Sequence, residues 1–274
     1  MIQDIYPEHL DNAYRDILPQ DEDCILCFDR DGAAAGYADG RLRFPAWKEI
    51  KHPCETVYAF SAAGRNYFLA VGESVLPEPC ERYSLHRLRE MSLEGNLDIF
   101  IVYTGFHLWK WYMSSRFCGA CGRKTEYAHD ERAMVCPACG NRIYPRINPA
   151  VIVGVINGEK LLITKYKSGF RHNALVAGFT EIGETLEETV RREVMEETGL
   201  RVRNIRYYKS QPWGIASDIL TGFYCDVDGE TEIHRDEREL GYAEWVERKE
   251  IILQPSDHSL TNEMMKRFRD GQET

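Results

Sequence analysis

Between Gly178 and Leu200 the chain reads GFTEIGETLEETVRREVMEETGL, a stretch rich in carboxylates set at helical spacing. Thr185 followed three residues later by Glu188 is the pattern of a reciprocal N-terminal cap, and Gly199 offers a left-handed stop, so the spacing predicts a helix over 186–198. At about 100° per residue, Glu193 and Glu197 lie one turn apart on a single face. Glu196 is on the adjacent side, and Leu186 and Val190 fall on nearly the same arc. Carboxylates gathered on the inward-leaning side of a helix repel one another and lose hydration, which is costly unless a cation neutralises them. Hard oxygen ligands so spaced suit Mg2+ or Mn2+, with a substrate phosphate completing the coordination. An acidic helix with Arg191 and Arg192 interspersed could equally be a solvated, salt-bridged surface, and composition alone favours that reading.

A second group capable of chemistry is sulfur. Cys118 and Cys121 form one C-x-x-C, Cys136 and Cys139 another, with 14 residues between the pairs. Two such knuckles present four thiolates to one tetrahedral Zn2+ and leave no position for water, which makes the site structural rather than catalytic. A ribbon of this size has too little core to fold without its metal. Cys24 and Cys27 also make a C-x-x-C, but within an apolar run and with no second pair, so they read as half-buried strand cysteines. Cys54, Cys80 and Cys225 show no ligand spacing. Nine cysteines are an odd number, and no secretory pattern opens the chain, so disulfides are not expected and a cytoplasmic location is.

The elements that must position these groups fall into three parts. From the start to about residue 96, CILCF (24–28), RLRFPAW (41–47), TVYAFS (56–61) and NYFLAV (66–71) read as strands, with links such as DRDG (29–32), and Ser84–Arg89 could begin a helix. Gly105–Ser115 has helical spacing. Beyond the cysteines, 149–155, 160–166, 202–208, 222–227 and 244–247 read as strands and 260–269 as a helix, an order that is mixed α/β. The expected division is an α+β N-terminal domain (1–113), a zinc ribbon (114–145) and a catalytic domain (146–274). The longest apolar runs, 99–106 and 149–156, are far short of a membrane span. A net charge of −10 argues against broad nucleic-acid binding. The alternation of Arg201, Arg203, Arg206 and Lys209 with apolar residues reads as a strand's solvated face.

The acidic segment as a whole settles which reading of it holds. Written G-x5-E-x7-R-E-U-x-E-E-x-G-U, with U aliphatic, it is matched by Gly178, Glu184, Arg192, Glu193, Val194, Glu196, Glu197, Gly199 and Leu200, and here the chain closely resembles the Nudix hydrolases. The resemblance implies an α/β/α sandwich with a mixed sheet and hydrolysis of a nucleoside diphosphate linked to another group. It makes Glu193 and Glu197 metal ligands, Glu196 a further ligand or the base for the attacking water, and Arg192 an orienting partner. The carbonyl of Ala177 becomes a ligand, and Glu184 supports the loop.

The upstream ribbon, the long N-terminal part and Ser210-Gln211-Pro212-Trp213 together resemble the NADH pyrophosphatases, which split a nicotinamide dinucleotide into nicotinamide mononucleotide and AMP. That likeness implies a metal-binding Glu239 ahead of Trp245, substrate contacts from Arg89, Tyr144 and Phe179, and homodimers in which Tyr144 could act across a subunit boundary. One departure stands out. Where that family continues with Pro-Phe-Pro, a variable residue and Ser, this chain has Gly214-Ile215-Ala216-Ser217-Asp218, and Thr261 replaces a small alanine. These positions remain candidate substrate contacts together with Gln211, Pro212 and Trp213, but the lost prolines predict a more mobile loop and looser choice between dinucleotides, with the face of Trp213 still open to a planar base. Competing readings are removal of NAD caps from RNA, a broader dinucleotide or ADP-sugar pyrophosphatase, and a non-catalytic nucleotide sensor. The intact Glu193, Glu196 and Glu197 count against the sensor.

Overall fold

The computed structural model describes residues 1–30, 32–50, 54–71, 80–169 and 172–273, so Asp31 of the DRDG link lies outside the described residues. The chain divides into two compact units: an N-terminal one of residues 2–146 and 213–217, and a C-terminal one of Met1, 147–212 and 218–274.

The N-terminal unit carries strands β1 (Leu10–Asp11), β2 (Cys24–Phe28), β3 (Gly32–Ala38), β4 (Arg41–Arg43), β5 (Thr56–Ala62), β6 (Arg65–Ala70) and β7 (Glu81–Ser84), then helices α1 (Leu85–Glu90) and α2 (Leu97–Ser114). The strands form one sheet ordered β1-β5-β6-β2-β3-β4, with β7 also on β3. β2 and β6 run parallel, whereas β5 and β6 form an antiparallel pair. Ser84 caps α1, its side chain accepting from the Arg87 N–H at 3.1 Å. Helix α2 unites the 99–106 apolar run with the 105–115 pattern. It begins eight residues earlier than the periodicity indicated, because Ile99, Ile101, Val102, Tyr103, Phe106 and Leu108 are all buried. A helix enclosed on most sides shows no polar face from which to read its period.

Two expectations need correcting. Cys24 and Cys27 are fully buried, not half-buried: Cys24 packs in the core beneath α2, and Cys27 in a second cluster with Ile25 and Phe68 on the other face of β2. RLRFPAW is strand only over Arg41–Arg43; Trp47–Glu49 forms a single 3-10 turn after Pro45. Strand β3, GAAAGYA, has no strand signature in its sequence, because alanine and glycine carry little strand preference.

The same unit contains the three-stranded ribbon of β8 (Glu126–Tyr127), β9 (Met134–Val135) and β10 (Arg142–Ile143), ordered β10-β9-β8. It is bonded to the rest of the unit. The Tyr14 hydroxyl donates to Ala128 O at 2.7 Å, Arg132 Nη2 to Ala59 O at 2.6 Å, and Thr125 Oγ1 to Ser115 O at 2.6 Å.

The C-terminal unit is an α/β/α sandwich, as the family resemblance implied. Its strands are β11 (Asn148–Asn157), β12 (Lys160–Tyr166), β13 (Val176–Phe179), β14 (Val202–Trp213), β15 (Asp218–Val227) and β16 (Leu240–Glu247), and its helices α3 (Leu186–Thr198) and α4 (Leu260–Arg269). The sheet order is β14-β15-β11-β12-β16, with β13 on β11. β11 and β15 run parallel, whereas β12 and β13 are antiparallel to β11. Val151, Val153, Leu162 and Phe223 face Val190 and Val194 of α3, while Ile152, Leu161, Ile163 and Tyr224 face Met264, Met265 and Phe268 of α4. With both faces covered, β11 is an unbroken apolar run rather than an alternating one. The basic residues of β14 pair with carboxylates, Arg206 with Asp226 and Glu273, Lys209 with Glu263, consistent with a solvated face. No helix of the described residues is long and apolar enough to cross a membrane.

Candidate active site

Helix α3 starts and stops where its sequence says it must. Thr185 Oγ1 accepts from the Glu188 N–H at 3.2 Å, and the Glu188 carboxylate accepts from the Thr185 N–H at 2.7 Å. Gly199 ends the helix at φ 70°. Val190 and Val194 anchor the helix to the sheet, and that buried stripe continues into Glu197, which is only 2% exposed. Glu196, one position away, has a side chain 59% exposed. The two adjacent carboxylates therefore differ sharply in hydration.

Arg192 organises the others. Its Nε and Nη2 donate to Glu184 at 2.6 and 2.9 Å, Nη1 donates to Glu193 at 2.7 Å and to Glu196 at 3.0 Å, and Nη2 also reaches the Phe179 carbonyl at 2.8 Å. Glu184 further accepts from Thr189 Oγ1 and the Glu181 N–H, and the guanidinium with these donors holds its carboxyl down at about 2. Glu184 thus ties the loop before α3 to the helix, the supporting role expected of it. Gly178 of β13 lies directly against Glu193: a Cβ there would fall 1.9 Å from the Glu193 carboxyl carbon.

Burial pushes Glu197 up to about 8, reinforced by the charges of Glu193 and Glu239 and opposed by a hydrogen bond from the Ala177 N–H. Burial also raises Glu193, and Arg192 works against it. Glu239 stands within electrostatic reach of both, on the loop whose carbonyl accepts from the Lys167 N–H at 2.9 Å. The N–H and C=O of a strand residue leave on the same edge, so the Ala177 carbonyl lies on the side facing Glu197. The Glu197 Oε2 is buried and, among the described residues, has no hydrogen-bond partner. An uncompensated carboxylate oxygen among other carboxylates is the environment a divalent cation satisfies, so the residues present fit one. Tyr166, at the bulged end of β12, was not singled out from the sequence, yet it is surrounded electrostatically by Glu193, Glu197 and Glu239. Nothing in its local pattern distinguishes it from a strand end.

The other expected contacts divide between the units. In the N-terminal unit, the Arg89 guanidinium lies over the Trp213 ring at 5.4 Å, Tyr103 meets that ring edge-on at 5.6 Å, and Ile215 packs on the same core. A Cβ on Gly214 would come within 2.0 Å of the Tyr103 carbonyl oxygen, so only glycine fits there. Ser217 is buried at φ 68°, and Ala216 is exposed. The departure from Pro-Phe-Pro therefore produces a packed turn instead of the loose loop expected, and Arg89 covers one face of Trp213. Tyr144 projects from the ribbon with its hydroxyl donating to Glu131 at 3.0 Å; Arg142 binds the same carboxylate. Glu131 was absent from the sequence-derived candidates, since only folding of the ribbon brings it opposite Tyr144.

In the C-terminal unit, Phe179 is half exposed at the end of β13 and Pro212 is exposed. Asp218 is buried and accepts from Asn148 at 3.4 Å. Thr261 sits half-buried in the first turn of α4. Gln211 is a correction. It is wholly buried, its Nε2 donating to His258 O at 2.8 Å and its Oε1 accepting from the Leu260 N–H at 2.7 Å, so its amide holds the start of α4 rather than facing a ligand.

The four ribbon cysteines bring their Sγ atoms within 4.8 Å of one another, with Cys118 to Cys139 at 3.6 Å and Cys121 to Cys136 at 3.4 Å. Tetrahedral Zn2+ with ordinary Zn–S bonds separates its sulfurs by about 3.8 Å, so this cluster fits the ion with little adjustment.

Comparison with known proteins agrees with this geometry. The NUDIX domain model matches residues 146–268, and the NADH pyrophosphatase zinc ribbon domain model matches 114–144. The NAD-capped RNA hydrolase NudC of Klebsiella pneumoniae is 38% identical over 190 residues, covering 67% of this chain and 72% of that protein. The protein of the same description from Actinobacillus succinogenes is 40% identical over 179 residues, covering 62% and 67%. Among solved structures, a NUDIX hydrolase from Nitrosomonas europaea superposes with a TM-score of 0.51 at 22% identity, covering 57% of this chain and 92% of that one, a likeness of fold.

Proposed function

The chain belongs to the Nudix hydrolases, and we propose that it cleaves the pyrophosphate of NADH and NAD to nicotinamide mononucleotide and AMP, including NAD carried at the 5′ end of RNA. The observation that carries the reading is the buried, unpartnered Oε2 of Glu197 beside Glu193 and Glu239. In this proposal Glu193, Glu197, Glu239 and the carbonyl of Ala177 hold Mg2+ or Mn2+. A cation bound there offsets charge on the pyrophosphate and lowers the pKa of water. Glu196, the most hydrated of the three helix carboxylates, accepts the proton of the attacking water as one P–O bond forms and the bridging P–O bond breaks; a further ligand role for it is compatible with the same position. Arg192 keeps Glu193 and Glu196 in orientation through its hydrogen bonds. Arg89, Trp213, Tyr144 and Phe179 are proposed substrate contacts, as are the segment 212–218 and Thr261. The ribbon Zn2+ is proposed as structural. We further propose a cytoplasmic homodimer with an N-terminal domain (1–113), ribbon (114–145) and catalytic domain (146–274).

Product analysis with NADH, NAD, ADP-ribose, diadenosine polyphosphates and NAD-capped RNA, in Mg2+ or Mn2+, tests this. The expected products from NADH and NAD are nicotinamide mononucleotide and AMP, with efficiencies within about tenfold of each other, the scale of one altered contact. Cleavage of ADP-ribose alone would defeat the dinucleotide assignment.

A further inference from the structure

Away from the acidic helix, the N-terminal unit contains a cleft of about 370 Å³ between the end of α2 and the ribbon. Its walls combine the buried Tyr112 and the half-buried Tyr127 with the cationic side chains of Arg116 and Lys124, with His129, and with the carboxylates of Glu55 and Glu126. The two rings meet edge to face at 5.8 Å. The Tyr127 hydroxyl donates to Glu55, and His129 is engaged with Asp16 at 2.8 Å, so these groups are already partnered. Arg116 and Lys124 are different: both are exposed, and among the described residues neither has an ion-pair partner. Phe117, 65% exposed, lies between Arg116 and the cysteine knuckle, and its backbone bridges to Lys124. Arg123 follows on the same exposed turn.

On a chain of net charge −10, Arg116, Arg123 and Lys124 gather beside the half-buried ring of Tyr127 and the exposed ring of Phe117, while Glu55, one of the cleft's two carboxylates, is taken up by the Tyr127 hydroxyl. Cations that track phosphate, together with aromatic faces that stack on bases, are how nucleotides are held without reading their sequence. We infer that this cleft binds a nucleotide unit, with its phosphate between Arg116 and Lys124 and its base against Tyr127. The unit could belong to a single-stranded RNA or be a free mononucleotide, since both offer the same phosphate and base.

The test measures equilibrium binding of an uncapped oligoribonucleotide by anisotropy, and of 5′-AMP by titration calorimetry, to the full-length zinc-loaded protein and to an Arg116→Ala, Lys124→Ala double variant. For a chain source, the variant should bind the oligonucleotide about tenfold more weakly, with its log–log salt slope reduced by about 1.4, two contacts at roughly 0.7 each. For a free source, the variant should lose one AMP site and leave RNA binding unchanged. Arg116→Lys, Lys124→Arg, which keeps both charges, should restore most of the affinity. NADH turnover should be the same in all three proteins. Oligonucleotide and AMP binding both unchanged in a variant of normal zinc content and thermal stability would overturn the inference, as would an equal loss of NADH turnover. Binding is read without turnover, so failure of the proposed hydrolysis would appear separately, as an inactive wild-type protein.

Discussion

Glu197 and Glu193 show how neighbouring carboxylates acquire different properties from one helix. Glu197 lies in the stripe continued from Val190 and Val194, so burial raises its pKa to about 8, whereas Glu193 is partly compensated by Arg192. For an acid whose folded pKa is raised, stability is full below the unfolded value and is lost as pH climbs through the folded one. Protein dialysed free of Mg2+ should therefore melt at a lower temperature at about pH 8.5 than at about pH 6.5, and Glu197→Gln should flatten that difference. In the presence of Mg2+ the same variant should lose roughly a hundredfold in kcat while staying folded, the scale of several kcal/mol of electrostatic stabilisation. Near-normal turnover by Glu197→Gln would show the assignment to be wrong. Gly178 gives an independent test of the same site, because its missing Cβ makes room for the Glu193 carboxyl. Gly178→Ala should reduce kcat/KM by about ten- to a hundredfold through displacement of Glu193, with far less effect on the melting temperature.

Among the elements, α3 and α4 are positioned by different means. Helix α3 carries its own instructions, the Thr185–Glu188 reciprocal cap and the Gly199 stop. Helix α4 has a local cap, Ser259 accepting from the Asn262 N–H at 3.2 Å, but its first N–H is also held by the side chain of Gln211 on β14. Gln211→Met leaves the Leu260 N–H and the His258 carbonyl without these partners, a loss of about 1 to 3 kcal/mol. Denaturant unfolding should register that loss while KM for NADH stays unchanged; a raised KM at unaltered stability would instead return Gln211 to the substrate contacts. The turn after Trp213 follows the same logic, since contact between Gly214 and the Tyr103 carbonyl, not proline, constrains it.

For the whole molecule, the ribbon is tied to β5 by Arg132, to the segment after β1 by Tyr14 and to the end of α2 by Thr125. Loss of its metal should therefore propagate through that unit instead of loosening the ribbon alone. Cys136→Ser is expected to lower the first melting transition by more than about 5 °C and to abolish stoichiometric zinc in metal analysis. A zinc-free protein that melts normally would show that the ribbon holds itself together by other means.

What could be learned from the sequence was what short-range spacing controls. The bounds of α3, the face shared by Glu193 and Glu197, the four zinc-type cysteines and most strands depend on residues a few positions apart, so they were legible before any fold was known. The extent of α2, the burial of Cys24 and Cys27 on opposite faces of one strand, the employment of Gln211, and the pairing of Tyr144 with Glu131 were not. Each is set by an element distant in sequence that covers a side chain or occupies its hydrogen-bonding groups. Glu196 and Glu197 mark the boundary most clearly: they are chemically identical neighbours, and only the sheet packed under one of them removes its water and leaves an oxygen for a cation to satisfy.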